Sequence, residues 1–257
     1  FCPWLLALLP AVGGILSGLL VFSLAPEAEG HGTDAAIAAF HYRQGRIRPR
    51  VPLVKLVASA LTIGTGGSGG REGPIAQIGA GFGSLLARMF RLGPADCRTL
   101  MAAGMGAGVA AIFRAPFAGA LFAGEVLYRS ADFEACVIVP AALASTTAYC
   151  TFGLVFGWRA LFDLPAGLVG AMTFSDPRQL LPYTLLVALM VVLAMLYTRS
   201  FYGIAGLFRR WRFPRHAKPA LGALAAGIVG VGLFLLIRDQ RVLAVLSFGY
   251  GTLQDAM

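Results

Sequence analysis

The sequence predicts an all-α integral membrane protein that contains discontinuous, re-entrant helices. The 257 residues are 58% hydrophobic and 13% charged, a composition whose apolar surface a soluble domain could not hide. Several apolar segments are shorter than the roughly 20 residues that a perpendicular membrane span requires. Glycine and proline, which occur 33 and 14 times, interrupt these segments, as they do in helices that turn back around a cavity.

Seven apolar segments predict the helices in chain order. The shorter segments among them are the candidates for partial spans. Gly79 with Gly83, and Gly104 with Gly108, are small-xxx-small pairs, which predict a close approach of two helices. The segments comprise residues 4–25, 51–63, 75–89, 100–123, 135–156, 183–197 and 219–237.

An internal repeat is the next prediction. Segment 10–18 returns as segment 219–227, and an apolar run leads from each copy to a Gly-x-Gly-Thr turn, at 30–33 and at 249–252. Transporter repeats are commonly related by a pseudo-two-fold axis in the membrane plane. We therefore predict one transmembrane domain over residues 1–257, with a first repeat at about 1–205 and a second beginning at about 206. Because the second repeat is only begun, we expect a piece of a longer chain.

Residues 70–74, Gly-Arg-Glu-Gly-Pro, are the most informative segment of the sequence. They place Arg71 and Glu72 in an apolar region, where an ionisable residue is a functional-site hypothesis by default. Glycines allow backbone N–H groups to converge, and Pro74 suits the first turn of a helix, whose N–H groups carry partial positive charge. The segment therefore predicts an anion cradle, with Glu72 as a carboxylate that competes for it.

Two other interpretations of this segment remain open. It could be a plain turn between membrane helices, with Arg71 and Glu72 in the headgroup region. It could also be a nucleotide loop, because residues 64, 66 and 69 spell GxGxxG. The nucleotide interpretation is the weaker one, because no strand-like run precedes the glycines and the Lys-Ser/Thr of a P-loop is missing.

The net charge and the cysteine spacing indicate which binding partners and ligands to expect. The net charge of +9 comes largely from two basic stretches, at 43–50 and 209–215. Between apolar spans, such stretches are usually juxtamembrane loops that meet acidic lipid. The four cysteines share no CxxC spacing and are best explained as buried small side chains. We expect the lipid bilayer as a partner, and no nucleic acid, metal or cofactor.

Three segments resemble the CLC family of chloride channels and chloride/proton antiporters. They are residues 30–34, residues 70–79, and residues 113–122 followed by Glu125. The resemblance implies an inverted-repeat fold and the transport of chloride or a similar small monovalent anion. It also implies a homodimer with one pore in each subunit, in a multi-pass protein that we expect in the bacterial inner (plasma) membrane.

The resemblance also implies an outer anion site with Glu72 as its gate. His31 replaces a Ser whose hydroxyl donates to a central anion in the family. A neutral imidazole can still donate one hydrogen bond, and a protonated one adds a charge. A His that caps the turn through its own backbone is the alternative. The implied anion-binding residues are His31, Gly32, Gly70, Arg71, Glu72 and Gly73.

Two further positions depart from the family pattern. Antiporters carry an internal Glu directly after the position of Glu125, where this chain has Val126 and channels have an apolar residue. We therefore predict a passive channel, with an exchanger of chloride or fluoride for protons as the alternative. Arg114 replaces an Asn and either lines the anion path or pairs with a carboxylate such as Glu125.

An enzyme is the third interpretation, from a different class of protein. It would use Glu72 and His31 as acid and base, or Arg71 as a phosphate clamp, inside the membrane. The sequence shows no nucleophile with an adjacent base and no metal-binding cluster such as HExxH. We therefore expect that the protein is not an enzyme.

Overall fold

The computed structural model describes residues 3–128, 135–162 and 176–256, and their secondary structure is helical. This confirms the all-α prediction for the described residues. Short 3-10 helices at Pro26–Ala28, Pro177–Gln179, Arg215–Ala217 and Gln240–Val245 lie between the α-helices. The α-helices are α1 (Pro3–Leu24), α2 (Thr33–Tyr42), α3 (Arg50–Gly64), α4 (Glu72–Met89), α5 (Pro94–Phe113), α6 (Pro116–Leu127), α7 (Ala135–Phe156), α8 (Leu180–Arg210), α9 (Lys218–Ile237) and α10 (Tyr250–Ala256).

Helix lengths agree with a mixture of full and partial spans. Within the described chain, four segments are long and apolar enough to cross a membrane: Trp4–Leu24, Cys136–Phe156, Pro177–Arg210 and Arg215–Ile237. Helix α3 has 15 residues and is therefore about 22 Å long, which is less than the roughly 30 Å of the hydrocarbon core.

The apolar segment 100–123 contains one of the interruptions. Helix α5 ends at Phe113, and Arg114 takes a left-handed conformation with φ 55° and ψ 36°. Pro116 then stands at the start of α6. A proline has no N–H to continue a helix and restricts the residue before it, so the two helices are separate.

Helices α4 and α5 pack through their glycines. A Cβ added at Gly79 would overlap the carbonyl group of Gly104, and one at Gly83 would overlap that of Leu100. On the facing helix, a Cβ at Gly108 would lie 2.8 Å from the carbonyl oxygen of Ile75. The predicted small-residue pairs are therefore confirmed as a close helix contact, which larger side chains would prevent.

Helix α1 also packs closely on α9 and on the short helix before it. Two of these contacts are related by the sequence repeat, because the residues of one contact are the matched counterparts of the residues of the other. A Cβ at Gly227 would lie 2.6 Å from Cα of Ala7, and a Cβ at Gly18 would overlap the carbonyl group of His216. The contact residues run from 7 to 18 along one segment, while their partners run back from 227 to 216, so the segments are antiparallel. The sequence match aligns Gly18 with Gly227 and, extended toward the N-terminus, Ala7 with His216. A two-fold axis between the segments would relate one contact to the other in this way. The relation therefore supports an inverted repeat.

The second glycine turn is shorter than predicted. In the first turn, Gly30 and Gly32 have positive φ angles of 77° and 110°, and α2 begins only at Thr33. In the second turn, Gly249 has a positive φ, while α10 already begins at Tyr250. The prediction of a turn over 249–252 is therefore wrong for its last three residues. The physical reason is that Gly32 packs on another backbone, whereas a Cβ at residue 251 would meet nothing within 4 Å.

The contacts divide the chain into two compact units. The first unit, Phe1–Leu161 with Arg215–Leu253, contains the candidate site. The second unit is Phe162–Pro214 with Gln254–Met257, and α8 is its main element. No residue of α8 is buried.

Candidate anion-binding site

Residues 70–74 form the start of helix α4, as predicted. The helix begins at Glu72, and Pro74 lies in its first turn. The first regular bond runs from Ile75 N to the carbonyl oxygen of Arg71, at 3.1 Å. The N–H groups of Glu72 and Gly73 precede it and have no acceptor inside the helix. Two backbone donors at the positive end of a helix are thus available to an anion.

The carboxylate of Glu72 lies beside this helix start. Its Oε1 accepts a hydrogen bond from the Tyr250 hydroxyl. Its Oε2 lies against Gly70, where an added Cβ would overlap it. Among the hydrogen bonds of the described residues, none runs from a backbone N–H to this carboxylate. Glu72 is therefore next to the predicted cradle and is not bound within it.

Arg71 is held by aromatic rings. Its guanidinium carbon is 4.7 Å from the ring centroid of Tyr250 and 5.6 Å from that of Phe248. Both distances fall within the range of cation–π attraction. The Nε atom of Arg71 is buried and has no acceptor in the part of the chain that the structure describes. The side chain therefore has a donor that an anion could use.

Backbone hydrogen bonds fix the turn that carries these rings. Gly69 N donates to the carbonyl oxygen of Ser247 at 3.2 Å, and Ser247 N donates to that of Gly66 at 3.2 Å. The glycine-rich run before α4 is thus paired with the turn before α10. This pairing explains why Phe248 and Tyr250 lie over Arg71.

His31 contacts the same helix start at Gly73. A Cβ at Gly73 would lie 2.6 Å from both Nδ1 and Cε1 of His31, and one at Gly32 would lie 2.7 Å from the Gly73 carbonyl oxygen. Nδ1 of His31 is 3.1 Å from the hydroxyl oxygen of Thr33. The ring therefore bonds to a neighbouring side chain, and the alternative of a cap through its own backbone is not the arrangement found.

Sequence reasoning missed Lys55. This lysine is 5% exposed, and its Nζ donates to the carbonyl oxygens of Ala28 at 3.0 Å and Gly30 at 2.6 Å. It thereby ties α3 to the turn that presents His31. A lysine inside the apolar segment 51–63 is the same signal that singled out Arg71.

Gln77 is a second missed residue. It is 1% exposed, and its Nε2 donates to the carbonyl oxygen of Glu27 at 2.8 Å. Its Oε1 has no donor among the described residues. A Cβ at Gly32 would lie 3.1 Å from this oxygen, so Gln77 packs the first glycine turn onto α4.

Tyr250 and Phe248 were missed for a different reason. Tyr250 occupies the position in the second glycine turn that His31 occupies in the first. The available signal was therefore the repeat itself, because matched positions of two repeats are candidates for one shared site.

The loop before the first glycine turn is held by an ion pair. Oε2 of Glu27 accepts a hydrogen bond from Nη2 of Arg48, and Oε1 lies 3.7 Å from Nη1 of Arg43. Burial alone would raise the pKa of Glu27. The hydrogen bond from Arg48 and the two positive charges outweigh burial and hold this pKa below its ordinary value.

The predicted coupling positions lie on α6. Glu125 is exposed, and Val126 packs against the main hydrophobic core. Successive residues are rotated by about 100° around a helix, which explains the two environments. No hydrogen bond or ion pair of the described residues connects Glu125 to residues 70–74.

Arg114 has partners other than a carboxylate. Its Nη1 donates to the carbonyl oxygen of Arg159. Its guanidinium carbon is 5.6 Å from the ring centroid of Phe152. These contacts attach the break between α5 and α6 to the end of α7, and they do not bring Arg114 to Glu125.

Comparison with known proteins agrees with the resemblance. The family described as "Voltage gated chloride channel" matches residues 13–257. A putative chloride channel protein ClcB-like of Ralstonia nicotianae is 28% identical over 89% of this chain and 52% of its own length. The H(+)/Cl(-) exchange transporter ClcA of Cronobacter sakazakii is 31% identical over 80% of this chain and 44% of its own length. The chain thus spans about half the length of these relatives.

A solved structure shares the fold. It is that of a slow cyanobacterial Cl−/H+ antiporter, with a TM-score of 0.73 and 22% identity. The match covers 98% of this chain and 64% of that one.

Proposed function

The chain belongs to the voltage-gated chloride channel family, and we propose that it supplies the gated outer anion site of a protein that moves chloride or similar small monovalent anions. The start of α4 carries this proposal. It combines the N–H groups of Glu72 and Gly73, the Nε donor of Arg71, and the carboxylate of Glu72 beside them.

The proposed binding chemistry uses backbone amides and a helix dipole. Such donors favour an anion without a full opposing charge, so they bind weakly enough to release it. We propose that His31 and Gly32 extend the site from the α2 side, because both contact Gly73. Gly70 and Gly73 contribute by leaving the helix start open to close approach.

The proposed gate is the competition between Glu72 and the anion. An ionised carboxylate is stabilised by N–H donors, and protonation or a high anion concentration removes it from them. Occupancy by the anion and protonation of Glu72 are therefore linked. Low pH should open the path.

A passive channel is the favoured form of this function. A proton that crosses the membrane needs a relay of titratable groups, and a partly buried Val126 packs against the core at the position where the resemblance puts the Glu of antiporters. An exchanger is the second candidate, because a relative named as an H(+)/Cl(-) exchange transporter matches 80% of this chain.

We also propose the assembly and location that the family resemblance implies. The protein would be a homodimer with one pore in each subunit, in a bacterial inner membrane. Subunit counting by cross-linking in membranes would test the dimer.

The test of the gate is Glu72→Gln in the full-length protein. The amide removes the ionised competitor and leaves the backbone donors, so chloride flux into liposomes should rise and become nearly independent of pH from about 4 to 8. Asp96→Asn, a change of the same type at an exposed site, should leave the pH response unchanged. A steep pH response that survives Glu72→Gln would remove Glu72 from the gate.

Proton coupling needs a separate measurement. Proteoliposomes with a chloride gradient and an internal pH-sensitive dye report linked movement of protons. We expect the chloride gradient to collapse without sustained proton pumping. Uphill proton transport that Glu125→Gln abolishes would establish the exchanger instead.

A further inference from the structure

We propose that Tyr250 is a positioning residue that holds the carboxylate of Glu72 outside the anion cradle. This inference rests on the proposed role of Glu72 as gate. It adds a second resting place for the gate, provided by the first residue of α10, and so assigns a role to a residue on the second predicted repeat.

The geometry of the carboxylate carries the proposal. Oε1 accepts the hydrogen bond from the Tyr250 hydroxyl, and Oε2 lies beside Gly70, where an added Cβ would overlap it. The described hydrogen bonds of Glu72 include none from the cradle itself.

The phenol is held in place by contacts that do not involve Glu72. Its ring lies under the guanidinium of Arg71, at 4.7 Å, and Phe248 packs on the same cation. The two backbone bonds between Ser247 and residues 66 and 69 fix the turn. A donor whose position is fixed beforehand loses less entropy when it binds a carboxylate.

The matched positions of the two glycine segments contact different residues of the α4 start. His31 in the first turn contacts Gly73, while its counterpart Tyr250 contacts Glu72, so the two side chains meet one helix start at neighbouring residues. His31 is therefore placed to contact a bound anion, and Tyr250 is placed to contact Glu72, the proposed gate.

Two sets of donors therefore compete for one ionised carboxylate. The cradle offers the N–H groups of α4, and the first residue of α10 offers the phenol. The charged and titratable groups that face Glu72 are Arg71 beside it and Tyr250 across from it, with His31 beyond Gly73. By competing with the cradle for the ionised carboxylate, the phenol raises the fraction of molecules whose cradle is accessible to anions at neutral pH, and protonation of Glu72 raises it further.

The decisive variant is Tyr250→Phe in the full-length protein. It keeps the ring on Arg71 and removes the hydroxyl. With one resting place lost, Glu72 should spend more time in the cradle. We expect the apparent chloride affinity at pH 7, measured by calorimetric titration, to fall about tenfold, the effect of one hydrogen bond to a charged group. Chloride flux should fall in parallel and recover on acidification, because protonated Glu72 leaves the cradle.

Controls separate positioning from structural damage. In a Glu72→Gln background, Tyr250→Phe should change neither affinity nor flux, because the ionised competitor is absent. Tyr42→Phe removes a hydroxyl from an exposed ring and should have no effect. Wild-type affinity and pH profile in Tyr250→Phe would overturn the inference, as would an equal loss in the Glu72→Gln background.

The two proposals fail in different ways. If Glu72→Gln abolishes the pH response while Tyr250→Phe changes nothing, Glu72 remains the proposed gate and the positioning role of Tyr250 is wrong. If Glu72→Gln leaves the pH response intact, the gate fails, and the inference fails with it.

Discussion

The imidazole of His31 lies against the backbone of Gly73, so closely that a Cβ on the glycine would be 2.6 Å from Nδ1. The contact joins the turn before α2 to the first turn of α4. It places the one polar side chain of the Gly-His-Gly turn at a helix start that presents N–H donors. Anion binding should therefore depend on both residues.

Replacing His31 tests whether its side chain donates to the anion. His31→Ser keeps a donor and should keep chloride binding. His31→Leu should weaken binding by about 1.5–3 kcal/mol, the value of a hydrogen bond to a charged group. Calorimetric chloride titration of the full-length proteins measures the difference. Equal affinities in all three proteins would mean that the imidazole does not reach the anion.

Gly73→Ala tests the close approach itself. The added methyl group would collide with the ring and carbonyl group of His31, which must shift at a cost of about 1–3 kcal/mol. We expect lower thermal stability in detergent and weaker chloride binding. Gly69→Ala is the matched control, because a Cβ there meets nothing within 4 Å. Similar losses in both variants would attribute the effect to backbone freedom and not to His31.

Lys55→Met tests the support of the first glycine turn. The thioether fills the space of the lysine stem but leaves the carbonyl oxygens of Ala28 and Gly30 without their donor. Ala28 is buried, and a buried unsatisfied group costs about 1–3 kcal/mol, so the melting temperature should fall clearly. Ser59→Ala, which removes a hydroxyl bonded within α3, should cost far less. A melting temperature unchanged by Lys55→Met would show that the first glycine turn keeps its conformation without hydrogen bonds from Lys55.

Glu27 should give a specific acid sensitivity. Its pKa is lowered in the folded protein, so the ionised pair stabilises the fold at neutral pH, and this contribution is lost as pH falls through the folded pKa. The pair is largely at the surface, so the expected contribution is about 0.2–1 kcal/mol. Thermal unfolding between pH 7 and 3 should therefore show a smaller acid-induced loss in Glu27→Gln than in the wild type. Parallel pH curves would contradict this prediction.

What the sequence could predict was local. The start of α4 follows from residues 70–74 because glycine freedom, Pro74 and helix-end donors act within a few residues. The packing of α4 on α5 follows from glycines spaced at helical intervals. Both predictions are confirmed by the structure.

The sequence could not predict which residues far apart in the chain contact each other. Tyr250 and Glu72 are 178 positions apart, and no local pattern selects one hydroxyl among many. Arg114 bonds to the backbone of Arg159, an acceptor that every residue offers. The turn predicted over 249–252 was too long because the glycine pattern is the same in both segments, while Gly32 packs on the backbone of Gly73 and its counterpart at 251 has nothing within 4 Å of an added Cβ.

The paired contacts of α1 have a consequence for the surface on which the two matched segments meet. Ala7 meets Gly227, and their matched positions His216 and Gly18 meet each other. A surface with this property is self-complementary, which is the requirement for an isologous interface between two identical subunits. The two segments therefore meet through one kind of face, and a substitution in either copy changes the same interface.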